Sequence, residues 1–398
     1  MNRPFFHFLV FASFSLSSVF AEAPSFTYIE VDREREKWGD FEPPNWLRYF
    51  GIDAMDVNGD RFPDLIAGRY IYMNPGGTLE QAWDRVDLRK NTDGILFLDV
   101  DGDSFADAIT VSLPAVYWAE ATDAKADRWF FREVVKIEKT GHINSQGFRI
   151  ADLIPGGKPE ILLGAGDGLH VISIPEMPEE QIWVSHLFLP GSSDEGFDTG
   201  DLDNDGDLDL VASSYSSNSE GAQVLNQLFW WENPGRLDQP GKTHSIFQSK
   251  HDIDRIEVAD LNGDGRLDVA YSEERYPGKK PDAELVWIAA PADPKVGDWT
   301  PTVLVTQYSM NNLGVGDVDG DGDMDLVTNE HKGSAYLLQL FENDGSGIFQ
   351  MHVLDTGKEM HLGAQLADLD GDGDLDIFGP AWDNYTYLHL WRNDSNDP

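Results

Sequence analysis

Six short stretches of this chain place oxygen-bearing side chains at positions one, three, five and nine of a loop. They are Asp56, Asn58, Asp60 and Asp64; Asp99, Asp101, Asp103 and Asp107; Asp201, Asp203, Asp205 and Asp209; Asp260, Asn262, Asp264 and Asp268; Asp317, Asp319, Asp321 and Asp325; and Asp368, Asp370, Asp372 and Asp376. Hard oxygen donors at this spacing, with a backbone carbonyl near position seven, form a cage suited to Ca²⁺ rather than to a transition metal. Glycines at positions four or six let the chain turn tightly around the ion. An EF-hand begins in the same way but needs a bidentate Glu at position twelve. Ala212, Tyr271, Thr328 and Gly379 stand there instead, so an EF-hand is excluded. A seventh copy, Asp152 to Glu160, carries Ile154 and Gly156 where ligands belong, and no ion is expected in it. The expectation is about six Ca²⁺ sites.

A second set of residues could do chemistry. His142, His251, His331 and His361, with Glu330 and Glu195, fall in connections that emerge opposite the acidic loops. The same connections carry Asp194, Asp252, Asp254, Asn311, Glu273, Glu274, Trp382 and Asp383. Imidazoles with a carboxylate could hold one Zn²⁺ or another transition metal with an open position. A spare imidazole could take a proton beside a carbonyl or carboxylate, which is the first half of a β-elimination. Ordinary loop-capping histidines are the plainer reading. His170, His186, His244, His352 and His389 lie in strand-like runs and read as structural. Trp382, Tyr70, Tyr215 and Tyr276 could stack on sugar rings. Trp118, Trp230, Trp231, Trp287 and Trp391 recur on third strands and read as packing residues.

The elements that must carry these residues follow from the repeat. Loop starts are 43 to 59 residues apart, which suits one four-stranded propeller blade. A short apolar run follows each loop, as in Leu65-Ile66-Ala67 and Leu210-Val211-Ala212, so each loop joins a first strand to a second. Third strands end in turns such as Asn74-Pro75-Gly76, Asn233-Pro234-Gly235 and Asn343-Asp344-Gly345. The seventh repeat stops after its third strand, Tyr387 to Trp391, while Phe26 to Val31 forms an orphan strand at the other end. The N-terminal strand is therefore expected to complete blade seven and close the ring, leaving only short edges. The expected fold is an all-β, seven-bladed propeller of four-stranded blades, spanning residues 24–398.

The acidic loops resemble FG-GAP and VCBS repeats, in six of seven copies and over about residues 26–398. That resemblance implies a Ca-stabilised propeller. The region from His251 to Trp391 also resembles the propeller of aldos-2-ulose dehydratases, through Glu330-His331-Lys332-Gly333 and His361-Leu362-Gly363. It implies a metal-assisted loss of water beside a sugar carbonyl. The cupin domains of those enzymes do not fit in this chain. Secreted propellers of this repeat type also occur among lyases of acidic polysaccharides.

Composition sets the outer limits. The 398 residues carry a net charge of −42, which disfavours nucleic acid and anionic lipid as partners. There is no Cys, so disulfides, thiolate metal sites and Cys nucleophiles are excluded. Residues 1–23, with Arg3, an apolar Ser-rich run and Ala21-Glu22-Ala23, read as a signal peptide cut after Ala21 or Ala23. No later stretch is long and apolar enough to span a membrane. The expected protein is secreted or periplasmic and recognises a carbohydrate or glycan, with its oligomeric state open. Two readings remain: a lyase or dehydratase with one asymmetric site, or a non-catalytic lectin-like or adhesion module. Polar residues that differ from blade to blade favour the first. No Arg-Gly-Asp tripeptide supports integrin-type adhesion.

Overall fold

The computed structural model describes residues 24–36, 49–103, 105–217, 223–236, 241–275, 278, 280–362 and 364–396. The expected signal peptide, Tyr276 and Gly363 lie outside the described residues. Seven antiparallel sheets of four strands each make up the described structure, with no helix among the described residues. Blades one to six occupy residues 52–87, 93–136, 148–190, 192–248, 252–307 and 314–355. Blade seven runs Gln365–Ala367, Asp376–Pro380 and Leu388–Asn393, with Phe26–Asp32 as its outermost strand.

The ring closes as the sequence indicates. Phe26 pairs with Asn393, Tyr28 with Trp391 and Ile29 with Leu390. The Asp394 N–H donates to Ser25 O at 2.8 Å, and Thr27 Oγ1 donates to Asp394 at 2.8 Å. First strands of successive blades contact one another all the way round, from blade seven back to blade one.

Period-two alternation explains how these short runs hold the ring together. Leu65 and Ala67 face the apolar layer shared with blade seven, while Ile66, between them, faces blade two. In blade five Val269 and Tyr271 face blade four, and Ala270 faces blade six. Each of the seven blade junctions carries one such layer. Trp118, Trp230 and Trp391 are fully buried in these layers, and Trp231 and Trp287 nearly so.

Five of the six acidic loops are braced twice from inside: the position-nine carboxylate accepts the N–H of loop position two and one from the end of the third strand. Asp107 of the second loop takes only the former, from Val100. Asp64 takes Val57 and Asn74, Asp325 takes Val318 and Asn343, and Asp376 takes Leu369 and Asn393. The third-strand asparagine then reaches the neighbouring blade. Asn74, Asn233, Asn343 and Asn393 donate Nδ2–H to Leu369, Leu153, Leu261 and Val318, each at position two of the preceding blade's loop. In the degenerate third loop, Lys158 reaches the equivalent carbonyl of Val100.

Arginines plug the central channel. Arg149 pairs with Glu257 at 3.0 Å and Asp198 at 3.4 Å. Arg255 donates to Gln146 O at 3.1 Å and Asn311 O at 3.3 Å. The plug leaves a cavity above it, on the face away from the acidic loops.

Candidate functional site

The cavity measures about 200 Å³ and is lined by ten residues, among them His142, Glu195, Glu274, His331, His361 and Trp382. They come from eight different segments of the ring. His142 rides on the connection between blades two and three. His361 rides on the connection between blades six and seven. His331 lies in the turn between the second and third strands of blade six, and Trp382 in the matching turn of blade seven.

Local backbone irregularities aim the acids. Glu195 sits in the first strand of blade four, Ser192–Gly200, inside a register break between Ser192 and Phe197. Asp254 is the extra residue between Ile253 and Arg255 in blade five's first strand, Asp252–Ala259. Bulges of this kind redirect one side chain without ending the strand. Gly147 lets the blade-three connection approach, because a Cβ there would lie 2.2 Å from Glu195 O. Two site histidines precede non-glycine residues with left-handed backbone, Ile143 at φ 81° and Leu362 at φ 63°. For branched side chains such geometry costs about 1–3 kcal/mol and persists only where surrounding contacts enforce it.

The three histidines differ in their partners. His331 Nδ1 lies 2.6 Å from Glu359 Oε1, and Glu359 is itself fixed by the N–H groups of Trp382 and Asp383. A buried carboxylate at Nδ1 sets the tautomer, leaving Nε2 for the cavity. Gln146 Nε2 lies 2.6 Å from His142 Nδ1, and Glu195 Oε1 lies 3.9 Å from the same nitrogen. His361 is buried and its Nδ1 has no hydrogen-bond partner. Burial, then His331 and Arg255, holds its pKa well below the usual histidine range. It is therefore a neutral imidazole at neutral pH. Its ring meets His331 edge-on at 4.3 Å and tilts over Trp382 at 4.9 Å.

The carboxylates are pushed the other way. Burial, then Asp254, Asp194 and Glu274, holds the Glu195 carboxyl well above its usual range. Burial and Asp254 also raise Glu274. The wall opposite is apolar: Phe50 and Trp382 stack at 5.1 Å with 23° between their planes.

Of the six candidate catalytic residues, the structure brings His142, His331, His361 and Glu195 together and leaves two outside the cavity. Glu330 precedes His331, and neighbours on extended backbone point to opposite sides; its Oε2 accepts the Leu337 N–H and closes the local turn. His251 ends a three-residue connection and lies near Arg275 and Asp282, while Asp254, three residues on, is buried beside Glu195 and Glu274. Tyr70 is buried between blades one and seven, out of reach of a ligand. Tyr215 is half exposed and does not line the cavity. Gln146, Glu359 and Phe50 carry no motif that could have singled them out, and Lys332 stands in the segment beside His331 without having been ranked as a site residue.

The acidic loops fit a hard cation. In the second, fourth and sixth loops, carboxylate oxygens from positions one, three and nine lie within 4.8 Å of one another. Position one also gathers N–H groups, as Asp56 does from Gly59, Asp60 and Arg61. In the sixth and seventh loops the buried oxygens Asp317 Oδ1, Asp319 Oδ2 and Asp372 Oδ2 accept no hydrogen bond, as expected of ion ligands. The fourth loop differs, because Lys295 Nζ lies 2.5 Å from Asp203 Oδ2.

Comparison with known proteins agrees with this architecture. Residues 201–271 and 317–379 match the FG-GAP-like repeat. Rhamnogalacturonan endolyase YesW of Bacillus subtilis is 30% identical over 105 residues, covering 22% of this chain and 16% of that protein. Rhamnogalacturonan exolyase YesX of the same organism is 28% identical over 166 residues, covering 37% and 23%. The chain thus spans less than a quarter of either relative. Among solved structures, BBS1N in complex with ARL6DN superposes with a TM-score of 0.58 at 10% identity, covering 93% of this chain and 98% of that one. That likeness shows the fold alone. The chain is a seven-bladed β-propeller that carries FG-GAP-like repeats at residues 201–271 and 317–379.

Proposed function

We propose that the cavity binds a carbohydrate and acts on it as a lyase or dehydratase, on a scaffold held by about six Ca²⁺ ions in the acidic loops. One observation carries the reading: three histidines and a buried glutamate converge with a stacked aromatic wall in a single asymmetric cavity. A β-elimination needs those parts. An imidazole nitrogen, His361 Nδ1 or His331 Nε2, takes the proton from carbon beside the sugar's carbonyl or carboxylate. The C–O bond one carbon further breaks, and its electrons leave on the oxygen. The imidazolium so formed returns its proton to that oxygen. Phe50 and Trp382 offer a flat apolar face to a sugar ring. The similarity to two rhamnogalacturonan lyases supports an acidic polysaccharide as the substrate class, and the leader-like residues 1–23 support export. No helix among the described residues is long and apolar enough to cross a membrane.

The test is incubation with rhamnogalacturonan and other uronate-bearing glycans in excess Ca²⁺, followed by mass spectrometry. Products that are unsaturated and lighter by one water than hydrolysis products support the reading. Saturable binding with no product would make the protein a lectin-like module.

A further inference from the structure

A second acidic assembly, unlike the loops, lies at the cavity wall, where Glu195 and Glu274 line the cavity and Asp254 is buried behind them. Glu195, Asp254 and Glu274 each offer a carboxylate oxygen, and the three oxygens lie within 4.8 Å of one another. They come from blades four and five, brought together by the two bulged strands rather than by one loop. Asp254 is fully buried, Glu195 nearly so, and Glu274 partly. A solvated acidic patch would not be gathered this way, because like charges that close repel strongly away from water.

We propose that these three carboxylates hold one divalent cation, distinct from those of the repeat loops, and that this ion receives the carboxylate of an acidic sugar. Two unpartnered groups point to a ligand. Asp254 Oδ2 accepts no hydrogen bond, although Arg255 Nε lies 3.4 Å away. His361 Nδ1 is unpartnered on a residue only 7% exposed, lining the same cavity. Asn311 ties the two together: its side chain donates to Asp254 Oδ1 at 3.2 Å, and its carbonyl accepts the Leu362 N–H at 3.0 Å. Three oxygen donors select a hard ion of the Ca²⁺, Mg²⁺ or Mn²⁺ class, and a nearby imidazole tilts the choice toward Mn²⁺.

Charge balance gives the ion a role. Asp194 also faces this group, while Arg255 and Lys332 are the cations that the structure sets against it. Ionised, the four acids outnumber the two bases, so an anionic sugar entering alone would be repelled. A divalent ion removes that excess and offers open coordination positions to the sugar carboxylate.

The role of the ion rests on the proposed sugar site, but its presence does not, so the two fail separately. Equilibrium dialysis against Mn²⁺ or Ca²⁺, without sugar, counts bound ions by elemental analysis. The E195Q/D254N/E274Q protein is expected to bind one ion fewer than the wild type, with the loop ions retained. Equal stoichiometry would overturn the proposal. Should the triple variant not fold, crystals of the unaltered protein soaked in Mn²⁺ give the same answer: an anomalous peak between the three carboxylates supports the site, and none there overturns it. A bound ion with no sugar turnover would instead overturn the proposed reaction alone.

Discussion

The two faces of the ring spend acidic residues in opposite ways. On one face, carboxylates sit in short loops, repeat at fixed positions and keep to a single sequence segment of about nine residues. On the other, Glu195, Asp254 and Glu274 come from separate strands, and each occurs once. The first pattern is what a scaffold needs, since every blade must solve the same problem of joining its inner strands. The second is what a site needs, since one ligand has one shape. Repetition thus marks the holding face, and its absence marks the working face.

The strongest way to break this contrast is to remove the ions. At about ten times the dissociation constant each site adds about 1.4 kcal/mol to the folded state, so six sites add on the order of 8 kcal/mol. A chelator should lower the melting temperature by on the order of 10 °C. The fourth loop, with Lys295 already against Asp203, should release its ion first in a titration. An unchanged melt in EDTA would show that the loop face does not hold the scaffold through metal.

The converse holds on the cavity face. H361Q should cut turnover by about 10²–10⁴-fold, the range of one general acid–base group, and leave the melting temperature within error. H251Q, outside the cavity, should leave both unchanged. Loss of stability with full activity in H361Q would make the cavity histidine another packing residue.

The holding face is the more legible of the two in the amino-acid sequence. The loops, strand runs and ring closure can be read there because each depends on residues close in sequence or on a pattern repeated seven times. The histidines of the working face can be read because connections opposite the loops are few. Asp254 and Glu274 stand among the polar residues of that face, with nothing to rank them above Asp252 or Glu273. What ranks them is a one-residue bulge, and no residue type announces a bulge in Ile253-Asp254-Arg255. Glu359 is hidden for another reason: it touches His331 across 28 residues and two loops.

Away from the cavity, His389 is the buried counterpart of His361. It lies at the closure seam, its Nδ1 2.9 Å from the Tyr28 hydroxyl. Burial, then Lys358 and Arg35, lowers its pKa to about 4, against the weaker opposite pull of Asp355 and a hydrogen bond with the Glu359 backbone. Its folded pKa is below the unfolded value, so the unfolded chain binds more protons as pH falls. Its stabilising effect is therefore present above about pH 6.5 and lost progressively down to about pH 4, a change of roughly 3 kcal/mol at most. H389Q should flatten that part of the acid-denaturation curve without altering turnover at neutral pH. An unaltered slope would mean that other groups carry the acid sensitivity of the seam.

The smallest expected effect tests whether the loop face is a set of independent sites or one connected ring. Asn343 donates to Leu261 O at 3.0 Å, at position two of the fifth loop, and to Met324 O at 2.9 Å, at position eight of the sixth. It therefore ties neighbouring loops together at their backbones. N343A removes both hydrogen bonds and strands the buried Leu261 carbonyl and the part-buried Met324 carbonyl, which costs about 1–3 kcal/mol. If the clasp also fixes the shape of both loops, ion affinity should fall at the fifth and sixth sites together. A D260N/N343A double-mutant cycle on the ion-bound melt then gives a coupling energy clearly different from zero, because the two residues act through one loop. Additive effects would mean that each loop is shaped by its own braces alone, such as Asp268 and Asp325. The repeated face would then be a set of separate staples, and the contrast with the cavity would narrow to the number of copies.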